Sequence, residues 1–515
     1  MNGAHVLLDA LVKAGVEICF ANPGTSEMHL VTAIGKTDQV RPILCLFEGV
    51  VSGAADGYSR MSGKPAVTLL HLGPGYANSM ANMHNARKGF SSMVNIVGDH
   101  AVWHLQYDAP LTSDVVAHAE LHSHWVRVTQ SSEDLSFAGA EAVATAKSGW
   151  GKIATLIVPA NHAWEPASKS YDKVEPVPPA VVSPRTVERA AEQISSVKKS
   201  AILLGGHGML ERSLVAAGRV AEATGATLLS ETFPRRLQRG AGRVAINRIP
   251  YFAEHAIEFL KDYEQIILFG AKQPVGFFAY PGVPSLLAPE NCEIVEVAGV
   301  DDNVEDALES LARALGAKRE RAVQQRTESD RTEFQLTPSS IGEVISRHLP
   351  ADAIISDEAI TCAAEIFEKT VGAERHDWLA ITGGSIGQGL PVSLGASIAC
   401  PGRKVVSLQA DGSAMYTAQA LWTMAREGCD CTIILLNNNS YAILNVELER
   451  LRTEEPNAKT LSMLDLGDPQ INWVSIAEGM GVTAFRSVTA AEFDEQFAEA
   501  MRIKGPRLIE VMVNQ

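Results

Sequence analysis

KVVSLQADGSAMYTAQALWTMAREGCDCTIILLNNNSY, residues 404–441, reads as a buried strand, a crossing helix and a second buried strand. Both strand segments are continuous apolar runs, the pattern of strands covered on two faces. A strand–helix–strand unit of this kind belongs to a parallel sheet and brings the two strand ends side by side at one edge. Asp-Gly follows the first strand and three asparagines follow the second. Asp411 offers a hard anionic oxygen, while an asparagine side chain and a following backbone carbonyl offer neutral ones. Such a set suits Mg²⁺ or Ca²⁺ with positions left for phosphate and water. Gly412 allows close backbone approach, and a helix expected to begin near Ser413 would turn N–H groups toward an anion. Asp-Gly and Asn-Asn are also ordinary turn dipeptides. Their pairing at adjacent strand ends is what favours a binding site.

The same alternation extends outward. Val6, Leu7, Ala10, Leu11 and Ala14 have helical spacing, with Gly15 at the stop. VEICFA, AVTLLHL and MVNIVG follow as strands. Five prolines in the 21 residues Glu165–Arg185 mark a linker. A second block carries AILLGG, ATLLSE, QIILFGA and EIVEVAG, and a third carries AIISDE, the two strands above and PRLIEVMVNQ. Between them the charged run Lys318–Ser340 is expected to hold a helix and a linker. The fold expected is α/β: three doubly wound parallel-sheet domains, at 1–165, 183–320 and 338–515.

Composition narrows the function. With 44 Lys and Arg against 60 Asp and Glu, the formal charge is −16, which disfavours nucleic acid as a partner. No apolar run is long enough for a membrane span, and the beginning of the chain lacks a basic then apolar leader. Seven scattered cysteines without metal or redox spacing read as free thiols. A cytoplasmic location is expected.

The first block raises a question of its own. In LCLFEGVVSGAADGYSR, residues 44–60, an acid, Glu48, opens a run of small residues with no cation before Arg60. A buried carboxylate needs a partner or a proton. NPGTSE (22–27), Glu48 and HLGPGYANSM (71–80) each follow a strand, so they should cluster at one edge, with His71 able to handle protons. In the third block, ITGGSIGQG puts Gly383, Gly384, Gly387 and Gly389 around one apolar side chain, Ile386. GGHGML in the middle block has Glu211 where a dinucleotide loop needs its third glycine, which argues against NAD.

Together these residues resemble the thiamine-diphosphate enzymes of the pyruvate decarboxylase and acetohydroxyacid synthase superfamily, along nearly the whole chain. That family's metal motif is Gly-Asp-Gly followed at a set distance by Asn-Asn. Here 24 residues separate Gly412 from Asn437, and Ala410 replaces the first glycine. The resemblance implies pyrimidine-binding, Rossmann-like middle and diphosphate-binding domains, in chain order. It implies that Asp411, Asn438 and the Ser440 carbonyl hold Mg²⁺ and that Gly412, Ser413 and Tyr441 contact the diphosphate. Gly24, Thr25 and Asn78 become further cofactor contacts. Ile386 would be the wedge under the bent cofactor, and the Gly384 carbonyl would accept from its 4′-amino group. Glu48 would pair with N1′ of the aminopyrimidine across a subunit interface, which requires at least a homodimer, with a homotetramer expected.

The first block is most similar to benzoylformate decarboxylase, with His71 and Thr25 at that enzyme's active-site histidine and serine. Phe277 falls where a second histidine is expected, and Leu444 and Glu447 fall along the substrate pocket. The implied substrate is a 2-oxo acid, converted by decarboxylation to an aldehyde or by ligation to a 2-hydroxy ketone. Two alternatives remain open. One is an acetolactate synthase proper, a type that often carries FAD in the middle domain, although no motif here supports FAD. The other is a catalytically silent subunit, to which Ala410 and Phe277 point.

Overall fold

The computed structural model describes residues 1–168, 173–197, 199–327, 335–451 and 455–513. Its strands form three sheets. The first contains β1 (Ile18–Asn22), β2 (Arg41–Leu44), β3 (Ala66–His71), β4 (Met93–Asp99), β5 (Trp125–Val128) and β6 (Ile153–Pro159), in the order β2-β1-β3-β4-β6-β5 and parallel throughout. The middle stretch supplies β7 (Ser200–Leu204), β8 (Thr227–Ser230), β9 (Leu237–Arg239), β10 (Asn247–Arg248), β11 (Gln265–Phe269) and β12 (Glu293–Ala298). Five of these build the second sheet, β10-β8-β7-β11-β12. The sixth, β9, leaves it and pairs antiparallel with the third sheet. That sheet runs β17-β18-β16-β15-β13-β14-β9, from β13 (Ala353–Glu358), β14 (His376–Ala380), β15 (Val405–Ala410), β16 (Cys431–Asn437), β17 (Thr483–Ser487) and β18 (Arg507–Met512).

The central strands are buried along their whole length, as continuous apolar runs require when helices cover both faces. The small-residue run after Glu48 has a packing reason. It forms the helix Glu48–Ser62, which crosses the helix Gly389–Ala399 of the third block at near backbone contact. A Cβ on Gly57 would lie 2.1 Å from the Val392 carbonyl oxygen, and one on Gly395 would lie 1.9 Å from that of Ala54. Side chains at these positions would force the helices apart. Lower in the same joint, the fully buried Arg60 pairs with Asp56 and donates to the Ala380 carbonyl and the Thr382 hydroxyl, both at 2.8 Å.

Two expectations need correction. Within Lys318–Ser340 the described residues 318–327 contain no helix, 328–334 lie outside the described residues, and a helix, Pro338–His348, begins only at the end of the run. Residues 318–327 have charges but no apolar stripe, so they gain nothing by coiling. They form an irregular strap, with Val323 bridged to Val244 and Arg326 donating to the carbonyls of Ser346 and Gly372. The helix expected near Ser413 begins at Asp411 and lasts only to Ala414. Part of the proline-rich linker, 169–172, also lies outside the described residues. All seven cysteines are free. Among the described residues no helix is long and apolar enough to cross a membrane.

Candidate active site

The ends of β15 and β16 lie side by side, with Ala410 opposite Leu436 in the parallel register. Asp411 therefore emerges next to the turn Asn437–Tyr441. Its carboxyl is 2 % exposed, and burial raises its pKa to about 6, against the opposing pull of nearby backbone amides led by Gly412. Gly412 N donates to Asp411 Oδ1 at 3.0 Å. Across from it, Asn438 Oδ1 accepts from Ser440 N at 3.0 Å, and Asn439 takes a left-handed turn with φ +54°. Gly412 lies under the Tyr441 ring, where a Cβ would come within 2.4 Å of it. Ala410 has φ −90° and ψ 151°, extended backbone open to any residue, so the missing glycine costs no conformational energy.

The loop 383–389 is fixed from beneath by a residue that the sequence reading missed. Glu358, the last residue of β13, is buried and accepts from the backbone amides of Gly387 (2.6 Å), Gln388 (3.2 Å) and Gly389 (2.8 Å). Burial raises its pKa to about 7 despite those three donors. Its signal in the sequence was the acid pair closing AIISDE, at a strand end facing a glycine-rich loop. On the loop's other side, Asn85 Nδ2 donates to the Ser385 carbonyl at 2.7 Å and Asn82 Nδ2 to that of Gly387 at 3.2 Å. Gly384 sits at φ +75°, and a Cβ there would come within 2.4 Å of the Phe277 ring. Phe277 thus covers this glycine, backed by Tyr251 and Phe233. Glu447 accepts from the Tyr280 hydroxyl at 2.8 Å, and Leu444 on the same helix, Ala442–Leu451, is exposed.

In the first block, Glu48 opens its helix with its carboxylate buried, and the partner found for it is Asn78, whose Nδ2 donates to Oε2 at 3.0 Å. Arg60 is committed to Asp56 instead. His71, at the end of β3, meets Glu27: Nδ1 lies 2.8 Å from Oε2. Glu27 is wholly buried and also accepts from Gly24 N and the Ser26 hydroxyl, both at 2.7 Å. A carboxylate on Nδ1 places the proton there and leaves Nε2 to exchange protons. Gly24 makes room for the imidazole, since a Cβ would come within 2.3 Å of it. Ser26 Oγ lies 3.3 Å from Nδ1, whereas Thr25 is exposed and, among the described residues, has no side-chain hydrogen bond. Glu27 and Ser26, like Glu358, are residues of the candidate site that the sequence reading passed over. Their signal was the turn NPGTSE itself, read for its threonine alone.

The site residues thus form two groups in one chain, Glu48–Asn78–His71–Glu27 and Asp411–Asn438–Ser440–Tyr441, with the glycine loop and Phe277 beside the second. Among the described residues no hydrogen bond joins Glu48 to the Asp411 group.

Two family models match the chain: the N-terminal TPP-binding domain of thiamine pyrophosphate enzymes over residues 1–124 and the C-terminal TPP-binding domain over 360–511. The chain is 45% identical over 514 residues to a Mycobacterium tuberculosis protein named "Putative acetolactate synthase large subunit IlvX", covering 100% of this chain and 99% of the relative. It is 25% identical to benzoylformate decarboxylase of Pseudomonas aeruginosa, over 98% of this chain and 97% of that one. Its fold is similar to that of the thiamine diphosphate-dependent 4-hydroxybenzoylformate decarboxylase of Rhodococcus jostii RHA1, with TM-score 0.88, 24% identity, and coverage of 100% and 99% of the two chains. The sequence motifs, the strand-end geometry and these likenesses agree: the chain belongs to the thiamine pyrophosphate enzyme family, among its decarboxylases and acetolactate synthase-like enzymes.

Proposed function

We propose that this enzyme uses thiamine diphosphate and Mg²⁺ to decarboxylate a 2-oxo acid, releasing an aldehyde or passing the acyl unit to a second carbonyl. The observation that carries the reading is Asp411: a buried carboxylate with no ion-pair partner among the described residues, beside an amide oxygen and a turn carbonyl, at a glycine that lets the Tyr441 ring pack close. That donor set fits a hard divalent ion sharing its shell with phosphate. Asp411, Asn438 and the Ser440 carbonyl are the metal ligands in this reading, and Gly412, Ser413 and Tyr441 line the diphosphate. The bound cofactor supplies the carbon nucleophile and the electron sink of the reaction. Glu48 holds a proton at the pyrimidine, Ile386 and Gly384 orient it, and His71, fixed through Nδ1, moves protons at Nε2. Gly24, Thr25 and Asn78 complete the cofactor's surroundings.

Asp411→Asn tests this directly. Removing a charge that burial disfavours should raise the melting temperature of the cofactor-free protein, while Mg²⁺-dependent binding of thiamine diphosphate disappears in titration calorimetry. Retained Mg²⁺-dependent affinity would refute the metal assignment.

Acetolactate-type ligation is the second reading. It is favoured by the Phe277 ring on Gly384, where a histidine could have delivered a proton, and by the relative of that name. Leu444 and Glu447 stand at the substrate end of the site in either reading.

Glu48 and the Asp411 group are assigned to one centre in two different chains, giving a homodimer at least and a homotetramer by family likeness. The exposed Leu46, Met415, Tyr416 and Leu444 near these groups support a covered surface. Light scattering should give two or four times the chain mass of 55.2 kDa. An active species of single-chain mass would exclude the shared site. We assign the domains to 1–165, 183–320 and 338–515, with β9 lent to the third sheet, and the location to the cytoplasm, in keeping with seven unpaired thiols.

A further inference from the structure

The third sheet has a second opening, at the edge away from Asp411. A cleft of about 600 Å³ lies where β13, β15, β16 and β18 begin. Lys404 precedes β15 and Asp411 follows it; Asp430 precedes β16 and Asn438 follows it. Six residues of strand put the two edges roughly 20 Å apart. In a chain of net charge −16, this cleft is lined by five cations, Arg243, Arg403, Lys404, Arg502 and Lys504, against three carboxylates.

The carboxylates are already taken. Asp377 is 1 % exposed and clamped between Arg236 and Arg403, Asp430 receives Lys404, and Asp352 receives Arg375 at 2.8 Å. Arg502 and Lys504 are exposed and have no ion-pair partner among the described residues. They flank Ile503 between the last helix and β18, and Met501 and Ile503 give the same wall an apolar face. A concave site with surplus positive charge, a floor of neutralised ion pairs and an apolar wall matches an anion that carries an organic body. The volume is that of a nucleotide-sized molecule.

We propose that this cleft binds a small organic phosphate, with its oxyanion on Arg502 and Lys504 and its body against Met501 and Ile503, independently of the active site.

The test is titration calorimetry of ADP into the intact protein saturated with thiamine diphosphate and Mg²⁺, so that the diphosphate pocket is occupied. The double variant Arg502→Glu/Lys504→Glu should weaken ADP binding on the order of a hundredfold, as the loss of two charged hydrogen bonds implies. Lys36→Glu/Lys88→Glu, which changes the net charge equally on exposed first-block residues, should bind as the unaltered protein does. Absence of binding by the unaltered protein, unchanged affinity in the cleft variant, or equal weakening in the control would each overturn the proposal. Turnover of 2-oxo acids plays no part in this readout, so it stands or falls apart from the proposed function.

Discussion

Glu48→Gln should lower turnover of a 2-oxo acid by about 10²–10⁴-fold while leaving the fold intact, the range expected when a positioned proton carrier is lost. The two side chains have nearly the same volume, and a glutamine oxygen can still accept from Asn78 Nδ2, so the contact that residue 48 makes there is kept. What disappears is the group that can hold a proton in a buried position. Steady-state rates, with circular dichroism as the folding control, check this. Activity within a few-fold of the parent would remove Glu48 from the mechanism and leave its burial unexplained.

Arg60→Met should cost about 3–5 kcal/mol of stability, the usual loss when one partner of a buried ion pair is removed. Both side chains of the Arg60–Asp56 pair are fully buried. Without the guanidinium, Asp56 keeps, among the described residues, the Ser91 hydroxyl and Gln388 Nε2 (2.7 Å), and the carbonyl of Ala380 loses the Arg60 donor. The damage falls on the joint between the first and third blocks, next to the glycine loop, so a lower denaturant midpoint should come with weaker cofactor affinity. Asp56→Asn in the Arg60→Met background should recover part of the loss by removing the stranded charge. No recovery would show that Arg60 acts through its backbone-carbonyl contacts alone.

The strands around the candidate site were legible because each is an unbroken apolar run ending in a polar turn, as β15 and β16 are. β14 was missed because HDWLA starts with His376 and Asp377, whose burial depends on Arg243, Arg236 and Arg403 from elsewhere in the chain. β9 was missed because its register is set by β14 rather than by its own pattern. Asp411, Asn438 and Glu48 could be placed from spacing, since each sits at a strand or helix end. Glu27 could not: its role comes from His71, 44 residues away in the chain, and from Gly98, whose missing side chain leaves space for the carboxylate. Residues 318–327, charged and without a helix, show that charge alone is a poor helix signal where no apolar stripe accompanies it.

The exchange of β9 also bears on how such a chain can be divided. Leu237–Arg239 is held in the second sheet's stretch of sequence but closes the open side of the third. Cutting at the strap before Pro338 would strip β14 of one of its two neighbours and bare a row of backbone donors and acceptors, the kind of edge that pairs with a stray strand. The middle and third blocks are therefore joined through a shared sheet edge: a third block made without the middle one should aggregate through bare β14, and the two should be stable only when made together.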